Sequence, residues 1–535
     1  MNDTLQIEID RAGREPIYRQ LAEAMRASIR ERRLAVGARL PATRQLAERL
    51  RVHRNTVVQA YQLLEREGWI QSAVGAGTFV RDPRKDAEVP QARGGASAAG
   101  TGAAQGMESA ETATGDAGNE GPFAWGPLIQ NASALRDDPS RWLSPRGLKL
   151  PPETIRLTGA LADSRRFPLG DFARCMRAVL SEGDPQILEY GAPEGYEPLR
   201  AWIADWLTQG GAESLDPARV FIVSGSQQGL DLLGKLFLSP GDRVLCEEPT
   251  YTAAFVALRQ TGAHLRTVPI DAEGLEVDAL DAALAEKAAK FLYMMPSFQN
   301  PTGVSLSPAR RAALLALARR RRLAIVEDHY DSDLYYWGDR PRPLLADDAH
   351  GQVIHLGTFS KMLFPGLRLG WMVVPRELVG PLRQLRWATD LSSAMLTQRA
   401  MERFCREGHL VRHLRRLRRV NGRRLRAMLA ALERDFPPQA RWTKPSGGMM
   451  LWCELPAVID TVELFRAAAR SGVLFSPGVA FFPSGGGRNA MRLSFNRESE
   501  SRIGKGIGIL AEMIADRLRD RPMARPDDGD EVPML

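Results

Sequence analysis

Two residues that follow a strand-like segment could hold a nitrogen heterocycle. The apolar residues 323–327 lead directly into Asp328, His329 and Tyr330. Because side chains alternate along a strand, Asp328 and Tyr330 are expected on one face at its carboxyl end, where open α/β sheets bind ligands. A carboxylate and a phenol at this spacing suit a pyridine ring with a 3-hydroxyl, whose nitrogen the carboxylate would keep protonated. His329 is interpreted as a packed residue rather than a base.

A second strand-like segment, residues 353–358, ends next to Ser360 and Lys361, with Arg368 beyond. A lysine in an apolar setting at a strand end is a Schiff-base candidate, because desolvation disfavours its charged form. Either motif alone is weak, since a Ser-Lys pair is more often simply exposed. The occurrence of both motifs in succession is what predicts a site.

Further polar segments follow other strand-like runs. Residues 224–229 open a helix whose free N–H groups suit a phosphate, and residues 247–251 end in the aromatic Tyr251. Residues 296–303 form a turn that presents the amide of Asn300, and residues 190–200 form a glycine-hinged loop that starts at Tyr190. Arg492, in a strand near the end, would clamp a carboxylate. The alternative for Arg492 is a surface arginine on an edge strand.

The first 82 residues are predicted to form a separate module. Residues 16–31, 43–50 and 54–67 have helical periodicity, with Thr43 as the expected N-cap of the second helix. Two helices joined by a tight turn, and then two short strands around a glycine turn at residues 69–80, predict a winged helix-turn-helix.

Polar residues lie where such a module contacts DNA. Arg44 is on the first turn of one helix, and Arg54, Asn55 and Thr56 open the next. Recognition helices read base edges through their N-terminal residues, while flanking arginines and hydroxyls hold phosphates. The alternatives are a structural helix pair and polar residues that are merely solvated.

Composition divides the 535-residue chain further. Residues 83–122 are mostly Ala, Gly, Ser and Thr, which predicts a flexible linker spanning roughly 35 Å. Residues 123–520 alternate apolar strands with helical segments, so we expect an α/β domain with a parallel sheet. Residues 521–535 are expected to be a disordered tail.

Charge and apolar content narrow the function class. The net charge of +8 is compatible with a nucleic-acid partner, and residues 14–66 contain twelve arginines against five glutamates. A second basic stretch, residues 399–426, is interpreted as the solvent-exposed face of an amphipathic helix. The alternative is an accessory contact to DNA or to a second subunit.

No secretory signal or membrane-length apolar run is visible, and the four cysteines lack metal-ligand spacing. We therefore expect a cytoplasmic protein without a metal site or a membrane partner.

The segments PIYRQLAEAMRASI, LPATRQLAERLRVHRNTVVQAYQLLEREGWI and GAGTFV are similar, almost position by position, to the DNA-binding domain of the GntR family. That resemblance implies double-stranded operator DNA as a partner. It places Arg44, Arg54 and Thr56 at the DNA, and Gly77 at the wing tip in the minor groove. One departure is His53, which stands where serine or threonine usually contacts a phosphate.

Residues 167–495 resemble fold-type I pyridoxal-phosphate aminotransferases of the aspartate aminotransferase superfamily. The resemblance implies a large domain with a mostly parallel sheet and a smaller C-terminal α+β subdomain. It implies Lys361 as the Schiff-base lysine, Asp328 on the pyridine nitrogen and Arg492 on the α-carboxylate of an amino compound. The other implied cofactor contacts are Tyr330 and Asn300 to the 3-oxygen, Tyr251 to the ring face, Gly225, Ser226, Gln227, Ser360 and Arg368 to the phosphate, and Tyr190 from the other subunit.

A DNA-binding module, a long linker and an aminotransferase-like domain, in that order, resemble the MocR/GabR regulators, which are homodimers. The resemblance implies a regulator that senses a small amino effector, or pyridoxal 5'-phosphate itself, and changes its operator binding. One alternative is a working aminotransferase that carries a DNA-binding domain. Another is a structural DNA-binding protein with a vestigial fold.

Overall fold

The computed structural model describes residues 17–31, 34–35, 38, 40–41, 43–50, 52–66, 69–73, 77–80, 150–159, 163–212 and 214–520. The chain divides into two compact units, Met1–Glu120 and Gly121–Leu535. The predicted linker, residues 83–122, and the predicted tail, residues 521–535, lie outside the described residues. No helix among the described residues has the length and hydrophobicity needed to cross a membrane.

The described part of the first unit contains three helices and two paired strands. They are α1 (Ile17–Arg30), α2 (Thr43–Leu50), α3 (Arg54–Arg66), β1 (Ile70–Ala73) and β2 (Gly77–Val80). The two strands pair antiparallel, with Ile70 opposite Val80. Each helix ends within one residue of its predicted bounds, and the arrangement is the winged helix-turn-helix that the sequence predicts.

An apolar core holds this unit together. Leu21, Met25 and Ile29 recur at four-residue spacing, so they share one face of α1, and all three are buried. Two backbone hydrogen bonds, from Leu40 N–H to the Thr78 carbonyl and from Val80 N–H to the Ala38 carbonyl, attach the hairpin to the segment before α2.

The second unit is built around an eight-stranded sheet with the order β4-β11-β10-β9-β8-β5-β6-β7. Its strands are β4 (Val220–Val223), β5 (Arg243–Glu248), β6 (His264–Asp271), β7 (Gly274–Leu275), β8 (Phe291–Met294), β9 (Ala324–Asp328), β10 (Val353–Thr358) and β11 (Gly370–Val373). Strands β6, β5, β8, β9 and β10 are parallel, and β11 runs antiparallel to both β10 and β4. The sheet is therefore mostly parallel, as predicted.

Helices alternate with these strands and then continue toward the C-terminus. They are α4 (Leu169–Ser181), α5 (Glu197–Gln209), α6 (Ser226–Phe237), α7 (Thr252–Gln260), α8 (Val277–Glu286), α9 (Pro308–Arg321), α10 (Arg376–Asp390), α11 (Met395–Arg406), α12 (His409–Asp435), α13 (Thr461–Arg470) and α14 (Glu500–Asp520). Strands β4 and β8 are buried along their whole length, which explains why they read as continuous apolar runs.

A smaller sheet follows α12 in the chain. Its antiparallel strands are β12 (Arg441–Trp442), β13 (Met450–Glu454), β16 (Ala490–Ser494) and β15 (Ser476–Pro477), in that order. The short strands β3 (Ile155–Arg156) and β14 (Val473–Leu474) pair separately. A second apolar cluster packs this subdomain, with Leu451, Phe475 and Ile507 among its buried members. The predicted C-terminal α+β subdomain corresponds to this part of the chain.

The parallel strands place five segments at one edge of the large sheet. Strands β4, β5, β8, β9 and β10 all run in one direction, so the residues that follow them meet at their carboxyl ends. These are the segments in which the sequence predicts the site.

Candidate functional site

Asp328 is the last residue of β9, and it is buried. Its Oδ2 accepts a hydrogen bond of 3.0 Å from the hydroxyl of Tyr293 on the adjacent strand β8. Its Oδ1 is buried and has no hydrogen-bond partner among the described residues. Burial raises the pKa of Asp328 to about 6. An unsatisfied buried acceptor of this kind suits a ring N–H, whose positive charge would favour the carboxylate form.

Lys361 lies just beyond β10, in which Leu356 is paired with Asp328 of β9. Burial, helped by the positive charge of Arg492 and opposed by Asp331 and Asp328, lowers the pKa of Lys361 to about 8. A larger fraction of the amine is therefore neutral than in an exposed lysine, which favours attack on a carbonyl carbon.

An anion cradle forms where β4 ends. Gly225 has φ 83° and ψ 165°, a conformation that is essentially restricted to glycine, and it precedes α6. Arg368 donates a hydrogen bond of 2.9 Å from Nη2 to the Ser224 carbonyl. A Cβ on Gly225 would stand 2.8 Å from that nitrogen, so glycine leaves room for the guanidinium. Ser226 and Gln227 form the first turn of α6, whose N–H groups lack intrahelical acceptors and suit a phosphate.

Two further predicted phosphate contacts differ in what they offer. The buried hydroxyl of Ser360 has no hydrogen-bond partner among the described residues, and the Ser360 N–H donates to Thr358 Oγ1 at 3.1 Å. The side-chain amide of Gln227 already donates to the Ala253 carbonyl at 3.1 Å. We therefore expect Ser360 to contribute its side chain and Gln227 its backbone N–H.

Arg492 is buried in the interior strand β16, so the alternative of a surface arginine on an edge strand is wrong. Its guanidinium donates to Asn300 Oδ1 at 2.8 Å and to Ser476 Oγ at 3.2 Å, and it lies 4.7 Å from the centre of the Phe481 ring. Burial lowers its pKa to about 10, so it stays protonated at neutral pH. Its Nε has no hydrogen-bond partner among the described residues. A buried cation needs a compensating anion, and a carboxylate meets that need.

Asn300 and Tyr330 are both buried, but each is already engaged. Asn300 Oδ1 accepts from Arg492, and the Tyr330 hydroxyl donates to the Phe298 carbonyl at 2.8 Å. Tyr330 is therefore left with only its acceptor capacity for a ligand in this conformation. The joint contact of these two residues to one cofactor oxygen stays a prediction.

Two tyrosines occupy different surroundings. Tyr251 is half-buried immediately before α7, and burial, helped by the charge of Asp328, raises its pKa to about 12. Its phenol is thus protonated and within electrostatic reach of the site. Tyr190 is 85% exposed, and no contact joins it to this cluster among the described residues.

The predicted DNA contacts lie in the first unit. Arg44 is in α2, Arg54 and Asn55 open α3, and Gly77 begins β2, but their side-chain surroundings fall outside the described residues. Thr56 is half-buried in the first turn of α3, and its N–H donates to the His53 carbonyl at 2.9 Å.

The sequence analysis did not predict a hydrogen-bonded link between two loops of the site. Buried Glu247 accepts from the Met295 N–H at 2.9 Å and from Gln299 Nε2 at 3.3 Å, and Gln299 also donates to the Pro249 carbonyl at 2.7 Å. Burial raises the pKa of Glu247 to about 8. The link joins the loop that carries Tyr251 to the loop that carries Asn300. Its only sequence signal is the presence of a carboxylate and an amide beside the motifs.

A second missed group lies beside Asp328. Glu327 Oε2 is 3.0 Å from His355 Nδ1, Oε1 is 3.5 Å from His329 Nδ1, and the two oxygens also accept from the N–H groups of Leu344 and Leu345. These are metal-ligand types, but both carboxylate oxygens already accept backbone hydrogen bonds. We interpret the group as a clamp on the turn at residues 344–347, and His329 as a packed residue.

Comparison with known proteins identifies both halves of the chain. The family described as "Aminotransferase class I and II" matches residues 166–502, and the family described as "Bacterial regulatory proteins, gntR family" matches residues 17–80. The "Aromatic-amino-acid aminotransferase 1" of Thermococcus litoralis is 37% identical over 69% of this chain and 89% of its own. The "Probable rhizopine catabolism regulatory protein MocR" of Rhizobium meliloti is 30% identical over 88% of each chain.

Solved structures agree with these matches. LysN, an α-aminoadipate aminotransferase from Thermus thermophilus, was crystallised with N-(5'-phosphopyridoxyl)-L-leucine. It superposes with a TM-score of 0.69 at 36% identity, and the match covers 75% of this chain and 100% of LysN. The second unit therefore has the fold of the fold-type I aminotransferases.

Proposed function

The chain belongs to the family of gntR-type regulators that carry a class I and II aminotransferase domain, and we propose that an amino compound, or the cofactor itself, bound in the second unit changes how the first unit binds operator DNA. The observation that supports this proposal is the cluster of buried ionisable and polar groups around Asp328 and Lys361, in the same chain as a gntR-type domain. A vestigial fold would have no reason to keep buried polar atoms without partners.

The cofactor of this family is pyridoxal phosphate, and the donor set fits it. The buried Asp328 Oδ1 and Ser360 Oγ have no hydrogen-bond partner in the part of the chain that the structure describes, and Gly225 and Arg368 form a cradle at a helix N-terminus. When bound, pyridoxal phosphate supplies a carbonyl carbon that amino groups attack and a ring that withdraws electrons.

The protein's own groups have separate roles in this proposal. Lys361 supplies an amine whose proton is easily lost, and Asp328 provides the acceptor that holds a proton on the ring nitrogen. Arg492 holds the carboxylate of the incoming amino compound, and Asn300 and Ser476 orient the guanidinium. The side chains of four of these residues are buried, which excludes water and strengthens their interactions; they are Asp328, Arg492, Asn300 and Ser476.

A homodimer in the cytoplasm completes the proposal. Apolar side chains stand exposed on the second unit, with Leu188 at 78%, Tyr190 at 85% and Trp387 at 65%. The Gly191 N–H donates to Ser392 Oγ at 3.2 Å, so the Tyr190 loop and the segment after α10 share one surface. Burial of this surface against a second copy would place Tyr190 of one subunit at the site of the other. Operator DNA as the partner implies a cytoplasmic location.

Replacement of the lysine tests the sensing step. We expect Lys361→Ala to abolish the visible absorbance of the lysine-bound cofactor and to make binding to the protein's own promoter fragment insensitive to amino compounds. Lys235→Ala removes an exposed lysine that pairs with Asp231 on α6, so it is a matched control and should behave as the parent protein. An amino compound that still changes DNA binding of the Lys361→Ala protein would refute the proposal.

A second candidate function is aminotransferase activity. Identity to the Thermococcus enzyme, at 37%, exceeds identity to MocR, at 30%. Steady-state transfer of an amino group to a 2-oxo acid is the deciding assay. Turnover on the order of 1 per second or faster would identify a working enzyme, whereas a single half-reaction per site would support the sensing role.

A further inference from the structure

One helix of the second unit presents arginines along a single face. Six exposed arginines of α12 recur at spacings of three and four residues, so they line one side of the helix. The opposite side, with Leu410, Leu414 and Leu417, is buried. We name the outward face the arginine stripe, and its members are Arg412, Arg415, Arg416, Arg419, Arg423 and Arg426. At 1.5 Å per residue it is about 21 Å long.

Carboxylates compensate little of this charge. No aspartate or glutamate occurs between residues 409 and 432, although the whole chain is nearly balanced, with 72 basic and 64 acidic residues. Arg423 pairs with Glu500 at 3.0 Å. The side chains of Arg415, Arg419 and Arg426 make no hydrogen bond or ion pair with any other described residue. A helix face that is merely solvated usually mixes both signs of charge.

A groove beside the stripe adds to the positive surface. Its volume is about 650 Å³, and five arginines and two carboxylates line it with two hydroxyls. The charged and hydroxyl side chains are Arg165, Arg166, Arg416, Arg423, Arg424, Asp163, Glu500, Ser499 and Ser501. Both carboxylates are already paired, Asp163 with Arg424 at 2.8 Å and with Arg165 at 2.9 Å, and Glu500 with Arg423.

Two features of the groove favour an anion. Burial and the neighbouring Arg424 lower the pKa of Arg166, as expected where positive charges crowd together. The groove also borders the start of α14, where Ser499 precedes the helix and the first N–H groups lack intrahelical acceptors. An anion in the groove would relieve the repulsion between the guanidinium groups.

We propose that the arginine stripe and this groove bind the phosphate backbone of duplex DNA, as a second contact that does not read sequence. Guanidinium groups bind phosphates bidentately and are easily desolvated. A straight row of about 21 Å matches the length of about 6 base pairs, at 3.4 Å per phosphate along a strand.

The choice of DNA over an acidic protein rests on the proposed function. If the first unit binds an operator, the covalently joined second unit meets the same DNA at a high effective concentration, so weak phosphate contacts become significant.

Salt dependence tests the proposal. The variant is Arg415→Gln/Arg419→Gln, which keeps the helix and removes two arginines without partners among the described residues. The matched control is Arg319→Gln/Arg320→Gln, which changes two arginines in the last turn of α9 that are also exposed and have no ion pair with described residues. Affinity for a promoter duplex is measured at several salt concentrations, after cofactor absorbance and thermal unfolding have shown that each variant is folded.

The two variants should separate clearly. We expect the slope of log K against log salt to fall in magnitude by about 0.9 for each arginine lost from the stripe, or about 2 in total, and to stay unchanged in the control. Equal slopes for the stripe variant and the parent protein would overturn the proposal. Binding of the stripe to polyglutamate, with an unchanged slope for DNA, would overturn it in favour of an acidic protein partner.

Failure of this inference is distinguishable from failure of the proposed function. If the parent protein shows no preference for its promoter over unrelated DNA, the regulator proposal itself fails. If that preference is present and the stripe variant keeps the parent slope, only the second contact is excluded.

Discussion

The DNA-binding unit and the cofactor site place their polar groups in opposite ways. In the first unit the buried residues among those described are apolar, with Ser28 as the one buried polar exception, and Ser28 donates to the Ala24 carbonyl at 2.9 Å. In the second unit Glu247, Asp328 and Asp331 are all buried around the site. The described core of the first unit is therefore almost entirely apolar, whereas the proposed cofactor site depends on polar groups withdrawn from water.

This difference determines how each region responds to change. A surface contact to DNA is screened by salt and adds nearly independently to its neighbours. A buried carboxylate is sensitive to pH, because its pKa is far from the ordinary value, and its loss disturbs every group bonded to it. The two regions should therefore differ in the size of mutational effects and in the solution variable that reveals them.

The largest effect is expected from Glu247→Gln, measured as stability against pH in the cofactor-free protein. The pKa of Glu247 rises from 4.5 to about 8 on folding, so the folded protein holds a proton that the unfolded chain has lost. Between about pH 5 and 8 this group lowers stability by about 1.4 kcal/mol per pH unit as the pH rises. The amide keeps an acceptor for Met295 but does not titrate, so the variant should lose that part of the slope.

Thermal unfolding at pH 6, 7 and 8 provides the measurement. Relative to the parent protein, the stability of the variant should rise by roughly 2 kcal/mol between pH 6 and pH 8, because the slope flattens as the pH approaches the folded-state pKa. Glu248→Gln changes the neighbouring, half-buried carboxylate and is the control. If the stability of the parent protein and that of Glu247→Gln change in the same way with pH, the buried carboxylate does not make this region pH-sensitive and the contrast between the two regions fails.

Local signals account for most of what the sequence predicted correctly. The helices of the first unit follow from four-residue apolar spacing, and strands such as Phe291–Met294 follow from short buried runs, because both patterns depend on neighbours in the chain. The positions of Asp328 and Lys361 at the ends of neighbouring strands could be predicted because a motif at a strand end is also local.

Features that depend on distant pairing were not predictable from one sequence. The link from Glu247 to Gln299 joins residues 52 positions apart, and the bond from Asn300 to Arg492 spans 192. Nothing in the sequence around Tyr330 indicates that its hydroxyl donates a hydrogen bond to the Phe298 carbonyl. The interior position of Arg492 likewise depends on the order of strands in the small sheet.

An intermediate effect is expected at the anion cradle, from Gly225→Ala compared with Gly241→Ala. Both glycines have positive φ, 83° and 87°, so both substitutions carry a backbone cost of about 1–2 kcal/mol. Only at Gly225 does the added Cβ meet Arg368 Nη2, at 2.8 Å, whereas nothing lies within 4 Å at Gly241. We expect both variants to unfold at lower temperature, but only Gly225→Ala to bind pyridoxal phosphate at least tenfold more weakly. Equal cofactor affinities in a titration would remove Gly225 from the site.

The smallest effect is expected in the DNA-binding unit, from Arg54→Gln. Arg54 opens α3, and loss of one contact to DNA should weaken promoter binding about tenfold, or about 1.4 kcal/mol. Arg19→Gln removes the same charge from an exposed position on α1 and should bind as the parent protein does. Cofactor absorbance and its pH dependence should be identical in both variants, because neither residue belongs to the proposed cofactor site. A change in cofactor affinity in Arg54→Gln alone would contradict the comparison, since it would mean that a residue of the DNA-binding unit is coupled to the buried groups of the cofactor site.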